Sequence, residues 1–370
     1  MIRIAHFGSY NANVGDNIAL LNIRKNINEL CTKKIQWTNV CISKFHSSPK
    51  GRNNIKFSID EFKKISEKND LLIIGGGGLI EGSSSAKSKN QTGWKLPFTE
   101  EILSKIDIPI VCFSLGINYF RNYPVLNSDA TNNLWHLKNK SSLFSLRNDG
   151  SSDIYKSIFG EVCEEVADPG LIFSESIKFN KDDFNIKGQV KKGFFQPAWN
   201  NNIQQRAGRK YNSENLEKMS KLCQDFKLQI MPHTGKDYSF PHKSFLYQKS
   251  DFLKLVKFEK FEKIIEKYFQ YDYSIAMRGH GQLISIGLGL PSVYFSTQDK
   301  VKHFSLKNGF RDYNVDIEQE FWNELLREKV NKLIKDENYI AKWYEIREKL
   351  MIECKQKFKN FCIKTIKLVE

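Results

Sequence analysis

The sequence predicts a mixed α/β protein made of two α/β halves with mainly parallel sheets. Apolar runs of strand length alternate with amphipathic segments of helix length along the 370 residues, which is the pattern of successive β–α units. A hydrophobic share of 40% and a charged share of 27% are typical of a globular chain, and the length allows two domains with separate cores. Disorder, collagen and coiled coil are therefore excluded as the main architecture.

Nine apolar runs account for the predicted strands, and the segments between them account for helices. The runs lie near residues 2–7, 35–42, 71–74, 108–115, 143–146, 193–196, 228–231, 273–277 and 292–295. The helix before the eighth strand is predicted from Phe261, Ile264, Ile265, Tyr268 and Phe269, whose spacing places them on one buried helical face. From about residue 317 to residue 368 the pattern is helical only.

A domain boundary is predicted between residues 172 and 192, where polar and charged residues separate the last strand of one half from the first strand of the next. The resulting organisation is one domain over residues 1–180, a second over residues 181–315, and C-terminal helices over residues 316–370. Two halves of this kind place a cleft between the carboxyl ends of two sheets, where such folds usually bind ligands.

The chain is strongly basic, with 57 Lys and Arg against 42 Asp and Glu and a net charge of +15. Residues 178–260 hold 17 of the basic and 8 of the acidic side chains, and a second basic run contains Lys355, Lys357, Lys359, Lys364 and Lys367. The excess favours a polyanionic partner, an acidic substrate or an anionic membrane surface, although solvated lysine-rich faces would also produce it. No RNP, zinc-finger or helix-turn-helix pattern accompanies the charge, so nucleic acid is not expected as a partner.

The N-terminus and the cysteines indicate the compartment. The segment from Met1 to Gly8 reads as a strand and a loop, without the basic and apolar regions of a signal peptide, and no stretch approaches the ~18–20 apolar residues of a membrane span. Seven scattered cysteines without a C-x-x-C pair are interpreted as reduced thiols, neither disulfides nor zinc ligands. We therefore expect a cytoplasmic protein.

The first candidate site is the loop from Gly8 to Asn17, which follows the first strand and opens a helix. Its small and polar residues, among them Asn13, Gly15 and Asp16, would let the backbone approach a ligand, and the helix N-terminus adds unpaired N–H groups. A plain β–α turn capped by Asp16 would explain the same residues. The loop lacks the G-x-G-x-x-G fingerprint, so a dinucleotide cofactor is not indicated.

A second candidate is the run of four glycines from Gly75 to Gly78, at the end of a very apolar strand. Each glycine costs roughly 0.5–1 kcal/mol relative to alanine, so a close backbone approach or positive φ angles are expected there. A purely structural tight turn is the alternative. Residues 83–91, rich in serine and lysine, are predicted to form a mobile loop over this site.

Two further strand ends carry an arginine. Arg147 is followed by Asp149 and Ser151, either of which would cap the next helix, and an Arg–Asp surface pair explains the arginine equally well. Arg278 is followed by His280 and a helix. An arginine beside a helix N-terminus offers a two-pronged donor set and aligned N–H dipoles to a carboxylate or phosphate, and histidine exchanges a proton near neutral pH. A structural histidine is the alternative, which the flanking glycines disfavour.

Taken together and in order, these motifs resemble the polysaccharide pyruvyltransferase family over residues 1 to about 310. The residues that carry the resemblance are Gly8, Asn13, Gly15 and Asp16; Asp70 with the four glycines; Arg147, Asp149 and Ser152; Asp168, Pro169 and Gly170; Arg278, His280, Leu283 and Ile284; and Asp299, Lys300 and Val301. Glycine on either side of His280 departs from the family, which usually has larger residues there.

The resemblance implies two Rossmann-like domains in a glycosyltransferase-B-like arrangement with a helical C-terminal segment, the acceptor side on residues 1–180 and the donor side on residues 181–315. It implies transfer of pyruvate from phosphoenolpyruvate to a sugar as a ketal, with release of phosphate, in exopolysaccharide or capsule assembly. The partners expected from the resemblance are phosphoenolpyruvate and a glycan or lipid-linked oligosaccharide. The excess of basic residues, independently of the resemblance, predicts peripheral contact with the anionic inner face of the membrane. No metal or other cofactor is expected.

By position, the resemblance matches Arg278 and His280 to the family's Arg-x-His active-site pair and Lys300 to a lysine after the following strand. The other roles are predicted from the chemistry of the residues and their places at strand ends. His280, Arg278 and Asp16 are predicted to be catalytic, with His280 protonating the methylene carbon of the donor and Asp16 acting as a base. Substrate-binding residues are predicted to be Asn13, Gly15, Gly76, Gly77, Gly78, Arg147, Gly279, Gly281 and Lys300. The main alternative is a glycosyltransferase of the same architecture, in which the Arg278 region would hold a nucleotide diphosphate. A non-catalytic basic protein that binds nucleic acid or membrane glycolipid is a further alternative.

Overall fold

The computed structural model describes residues 1–11, 13–42, 59–81, 94–119, 126–173, 191–198, 212–260 and 262–370. The predicted boundary region lies largely outside these residues, and the loop predicted over residues 83–91 lies entirely outside them. In the described part of the chain, none of the helices combines the length and the apolar composition that crossing a membrane requires.

The first half forms a six-stranded parallel sheet. Its strands are β1 (Ile2–Gly8), β2 (Ile35–Cys41), β3 (Leu71–Gly75), β4 (Ile110–Leu115), β5 (Leu143–Arg147) and β6 (Glu164–Val166), in the order β2-β1-β3-β4-β5-β6. The described helices of this half are α1 (Val14–Leu30), α2 (Ile59–Lys68), α3 (Glu100–Leu103), α4 (Ser128–Lys140) and α5 (Ser151–Phe159). Every residue of β3 and β4 is buried, because both faces of the central strands are covered.

The second half forms a five-stranded parallel sheet. Its strands are β7 (Gly193–Gln196), β8 (Gln229–Ile230), β9 (Tyr273–Ala276), β10 (Ser292–Ser296) and β11 (Asn314–Asp316), in the order β11-β10-β9-β7-β8. The described α-helices between these strands are α6 (Ser213–Asp225), α7 (Lys249–Leu255), α8 (Glu262–Tyr268), α9 (Gly279–Leu288) and α10 (Asp299–Lys307). A short 3₁₀ turn, Gly235–Ser239, follows β8.

The alternation of strands and helices predicted from the sequence is confirmed, and each of the nine predicted strands has a counterpart. Two strands were not predicted, β6 and β11, each only three residues long. The sequence of β6, Glu-Glu-Val, carries two acidic residues, so apolar periodicity cannot reveal it. The predicted helix between residues 283 and 288 begins earlier, at Gly279, so His280 lies in its first turn.

Two helices end the chain, α11 (Trp322–Lys335) and α12 (Glu337–Ile366), and α12 returns to the first half. The rings of Phe358 and Phe361 lie 5.1 Å and 4.8 Å from that of Phe113 in β4. Nearer its start, α12 contacts the second sheet, where Trp343 Nε1 donates to the Tyr294 hydroxyl at 3.2 Å. Because one helix packs on both sheets, it joins the two halves.

Direct hydrogen bonds between the halves hold the facing loops together. The N–H of Val14 donates to the carbonyl of His233 at 3.0 Å, and Asn17 Nδ2 donates to the carbonyl of Val256 at 2.6 Å. Lys307 in the second half also forms an ion pair with Glu165 in the first, at 2.6 Å. The carboxyl ends of strands from both sheets therefore face one shared space.

Candidate active site

A cavity of about 300 Å³ lies between the two halves, lined by residues that follow the carboxyl ends of their strands. Among the described residues, five cationic side chains line it, namely Lys95, Arg147, Lys236, Arg278 and Lys300. The acidic side chains in the lining are Asp16, Glu81 and Asp149, and His280 lies among them. The excess of positive charge in a confined space favours an anionic ligand.

The first turn of α1 brings Asp16 into the cavity. Asn13 is the N-cap of α1, and its side-chain oxygen accepts a hydrogen bond from the Gly15 N–H at 2.9 Å. The alternative of a turn capped by Asp16 is therefore wrong. Since Asn13 supplies the cap, the Asp16 carboxylate is left to face the cavity, where its side chain is 19% exposed.

His280 lies in the first turn of α9, between two carboxylates of the first half. Its Nδ1 is 3.6 Å from Asp16 Oδ1, and its Nε2 is 3.5 Å from Asp168 Oδ1. Two glycines leave the space that the His280 ring needs to lie this close to both carboxylates. A Cβ added at Gly15 would lie 2.6 Å from His280 Nδ1, and one added at Gly170 would lie 3.0 Å from its Cδ2. The imidazole therefore lies where the halves touch, with 11% of the side chain exposed.

Arg147 forms a buried ion-pair cluster directly beneath the cavity. Its guanidinium pairs with Asp168 and, at 3.0 Å, with Asp149, and only 4% of the side chain is exposed. Burial would lower the pKa of Arg147, but the Asp149 and Asp168 carboxylates raise it above its usual value. Burial would likewise raise the pKa of Asp168, but Arg147 and His280 hold it below its usual range. The alternative of a surface Arg–Asp pair is therefore wrong, because the pair is buried and both partners stay charged.

Lys300, at the start of α10, contacts residues of the first half. Its Nζ donates to Asn118 Oδ1 at 3.3 Å, and Asn118 Nδ2 donates in turn to the carbonyl of Gly78 at 2.6 Å. Lys95 Nζ donates to the same carbonyl at 3.1 Å. Burial, together with the nearby Arg147 guanidinium, lowers the pKa of Lys300 to about 8. The charge of this side chain therefore changes just above neutral pH.

Arg278 lines the cavity but is largely engaged within the protein. It is the N-cap residue of α9, its guanidinium pairs with the buried Asp237, and its Nε donates to the carbonyl of Pro197 at 3.1 Å. Nη2 also contacts Thr234 Oγ1 at 3.4 Å. The prediction of a free two-pronged donor set at Arg278 is therefore wrong. The arginine joins the ends of three strands, with 15% of its side chain exposed.

Not all the predicted glycines line the cavity. Gly78 and Gly279 do, and a Cβ added at Gly279 would meet only Lys300 Cε, at 4.0 Å. Gly15, Gly76, Gly77 and Gly281 are not part of the lining. Three of them allow close packing instead. A Cβ added at Gly76 would come within 3.0 Å of Leu20, and one added at Gly281 within 3.0 Å of Gln196. A Cβ added at Gly77 would lie 3.3 Å from Asp16. Gly76 also has a φ of +81°, a conformation that favours glycine.

The cavity contains residues that sequence reasoning did not select as site residues. These are chiefly Glu81, Lys95, Asn118, Asp149, Lys236 and Gln282. Asn118 lies shortly after β4, as Gly78 lies after β3, so its position at a strand end is the one signal that points to it. Within the described residues, no group of three His, Cys, Asp or Glu side chains is arranged to hold a metal ion.

Two parallel sheets with a cleft between their carboxyl ends, and a final helix that returns to the first sheet, define a glycosyltransferase-B-like protein. A putative UDP-N-acetylglucosamine 2-epimerase from Listeria monocytogenes is similar, with a TM-score of 0.50 and 9% identity over 96% of each chain. The spinosyn rhamnosyltransferase SpnG gives a TM-score of 0.49 at 8% identity, over 95% of this chain and 96% of that one. S. aureus MnaA, in a structure with UDP, gives a TM-score of 0.47 at 13% identity, over 94% of this chain and 91% of that one.

The family follows from the sequence itself. The sequence profile described as Polysaccharide pyruvyl transferase matches residues 13–299, so the chain belongs to this family and is a transferase. No curated protein sequence matches the chain significantly. The predicted family, enzyme class and glycosyltransferase-B-like fold are thus confirmed.

Proposed function

We propose that the protein transfers the pyruvyl group of phosphoenolpyruvate onto a sugar of a surface polysaccharide or its precursor, forming a ketal and releasing phosphate. The observation that carries the proposal is a histidine, His280, held in a small cavity that five cationic side chains line. Phosphoenolpyruvate bears a carboxylate and a phosphate on a short carbon frame. An enzyme for it therefore needs positive charge on both sides and a proton donor near the methylene carbon.

The cations form two groups that suit the two anionic ends of this donor. Lys300 and Lys95 belong to one group, because Asn118 and the Gly78 carbonyl connect them. Arg278 and Lys236 belong to the other, because Arg278 pairs with Asp237, the residue next to Lys236. The N-terminus of α9, at Gly279, adds aligned N–H dipoles beside the second group. Arg147 belongs to neither group, because its Nη1 and Nη2 pair with Asp168 and Asp149.

The reaction requires one proton to arrive at carbon and two to leave hydroxyl groups. His280, as an imidazolium, protonates the methylene carbon, which becomes a methyl group, and a sugar hydroxyl forms a bond to the adjacent carbon. The bond from that carbon to the phosphate oxygen breaks, and a neighbouring hydroxyl closes the ketal. Asp16, 3.6 Å from His280 Nδ1, accepts the proton of one hydroxyl group and returns it to the imidazole. The proton of the other hydroxyl group leaves with the phosphate.

A ligand-binding and turnover experiment tests this proposal. The purified protein should be stabilised against thermal unfolding by phosphoenolpyruvate, and should release inorganic phosphate when a diol-bearing glycan acceptor is added. A panel of sugar nucleotides serves as the comparison. Stabilisation by a sugar nucleotide, without any by phosphoenolpyruvate, would instead favour a glycosyltransferase of the same fold.

We also propose that the basic segment over residues 178–260 and the lysine run from Lys355 to Lys367 hold the enzyme against an anionic membrane, near a lipid-linked acceptor. Lys355, Lys359 and Lys367 are exposed, and Ile352 on α12 is 72% exposed. Each lysine near such a surface contributes about 1 kcal/mol of binding. The run is less basic than its lysine count indicates, because Lys364 pairs with Glu164 and Lys357 with Glu353.

Sedimentation with lipid vesicles tests the membrane proposal. Binding to vesicles rich in phosphatidylserine should exceed binding to neutral vesicles and should weaken as salt shortens the Debye length below ~8–10 Å. Equal sedimentation with the two vesicle types, or sedimentation with neither, would leave these lysines as a solvated face.

A further inference from the structure

The two ring nitrogens of His280 face different environments. Nε2 has almost no solvent-accessible surface, makes no hydrogen bond within usual limits to any residue that the structure describes, and lies 3.5 Å from Asp168 Oδ1. Nδ1 lies 3.6 Å from Asp16, whose carboxylate lines the cavity. One nitrogen is therefore turned into the protein and the other toward the space where a ligand would bind.

Asp168 is held rigidly in the position that it occupies. It is fully buried, two residues after β6. Its Oδ2 pairs with Arg147, and its Oδ1 accepts a hydrogen bond from the Gly170 N–H at 2.7 Å. Its own N–H donates to Asn148 Oδ1 at 3.3 Å. A carboxylate kept ionised by a buried arginine can only accept hydrogen bonds, so the group that faces its remaining lone pairs has to donate.

We infer that Asp168 is a positioning residue that keeps a proton on His280 Nε2, so that the imidazole exchanges protons with the substrate at Nδ1. In a histidine, the partner of one ring nitrogen determines which tautomer the neutral ring adopts. With Nε2 protonated, the lone pair of the neutral ring lies on Nδ1, toward Asp16 and the cavity. The exchange with substrate rests on the proposed function, whereas the tautomer itself does not.

Within the described part of the chain, the other charged and titratable groups around His280 do not offer Nε2 an alternative acceptor. Asp16 faces Nδ1 from α1, and Arg278, two residues before His280, is cationic. Burial, followed by the charges of Arg278 and His280, lowers the pKa of His233 well below its usual value, so that ring stays neutral. Its Nε2 lies 2.5 Å from the Tyr268 hydroxyl and is thus already partnered.

Nitrogen NMR of the histidine side chains tests this inference without any donor or acceptor. In wild-type protein at a pH where the imidazole is neutral, the resonances absent from the His280→Gln spectrum should report the Nε2–H tautomer. Asp168→Asn should shift the ring toward Nδ1–H, because an amide can donate to Nε2. A wild-type ring protonated on Nδ1, or an unchanged tautomer in Asp168→Asn, would overturn the inference.

Kinetics supply the second readout, with Asp316→Asn as the matched control. Asp316 is likewise buried and pairs with a cation, Lys302 at 2.9 Å, but it lies outside the cavity lining. Asp168→Asn should lower kcat by roughly 10²- to 10⁴-fold, with the KM for phosphoenolpyruvate within about twofold of wild type, as expected when a histidine holds the wrong tautomer.

Equal kcat values for the two variants would overturn the inference. If Asp168→Asn fails to fold, the tautomer that NMR finds for His280 in the wild-type protein decides whether the inference holds. Absence of turnover with phosphoenolpyruvate in wild-type protein would count against the proposed function alone.

Discussion

A methyl group added at Gly15 should push His280 away from Asp16, the two residues that we propose exchange a proton during catalysis. The Cβ of Gly15→Ala would lie 2.6 Å from His280 Nδ1 and closer still to the histidine Cβ and Cγ, where ordinary contacts begin at 3.4 Å. The imidazole or α1 must therefore move by about 0.8 Å or more. Misplacement of a reacting group by ~1 Å can cost ~10²-fold in rate. We expect kcat to fall by about that factor.

Stability should change much less than activity in this variant. Alanine is favoured over glycine within a helix by ~1 kcal/mol, which offsets part of the ~1–3 kcal/mol that overpacking costs. The phosphate-release assay with phosphoenolpyruvate and acceptor measures kcat, and thermal unfolding measures the fold. Gly160→Ala is the control: that glycine has a φ of +71° and no described residue within 4 Å of an added Cβ, so the change should strain the backbone and leave kcat unaltered. A folded Gly15→Ala enzyme with wild-type kcat would refute the reasoning.

Four further perturbations have defined outcomes. Because the pKa of Lys300 is about 8 and the lysine is charged only below it, the KM for phosphoenolpyruvate should rise about tenfold between pH 7 and pH 9, and Lys300→Arg should move this rise to higher pH. Arg278→Lys keeps a charge near Asp237 but loses the Nε hydrogen bond to the Pro197 carbonyl that holds the cation beside the cavity, so calorimetry should show donor binding weakened by ~1.5–3 kcal/mol. His280→Gln should leave donor binding nearly intact and lower turnover by roughly 10²- to 10⁴-fold. Phe361→Ala, at the contact of α12 with β4, should lower the free energy of unfolding in urea by ~3–5 kcal/mol.

Each of these expectations has a result that contradicts it. A KM for phosphoenolpyruvate that is flat from pH 7 to pH 9 would remove Lys300 from donor binding. Unchanged calorimetry for Arg278→Lys would make that arginine a purely internal contact. A His280→Gln protein that unfolds, while its folded fraction keeps normal activity, would make the histidine structural. A Phe361→Ala protein as stable as wild type would mean that α12 does not hold the halves together.

Much of the fold could be predicted from the sequence because parallel strands are buried on both faces and so appear as continuous apolar runs. Strands β3 and β4 are of this kind, and both were predicted within two residues of their ends. Short strands at the edge of a sheet lack this signal. β6 contains two glutamates and is a strand because it pairs with β5, so the local pattern of apolar residues does not predict it.

The candidate site was predictable in position but not in its internal partners. Asp16, Gly78 and His280 follow strand ends, and Arg147 is the last residue of β5. Parallel topology brings such positions to one edge of each sheet. What the sequence could not reveal is which side chains pair across distant segments. The engagement of Arg278 by Asp237 is a contact of this kind, since the two are 41 residues apart.

Isotope incorporation tests the central claim most directly. The enzyme is incubated with phosphoenolpyruvate and an acceptor glycan in deuterium oxide, and the product is examined by mass spectrometry and proton NMR. Protonation of the methylene carbon predicts a glycan carrying a ketal-linked pyruvyl group whose methyl contains one deuterium from solvent, together with one inorganic phosphate. A product that keeps the carbon–carbon double bond, or a glycan extended by a sugar from a nucleotide donor and not by pyruvate, would contradict the account.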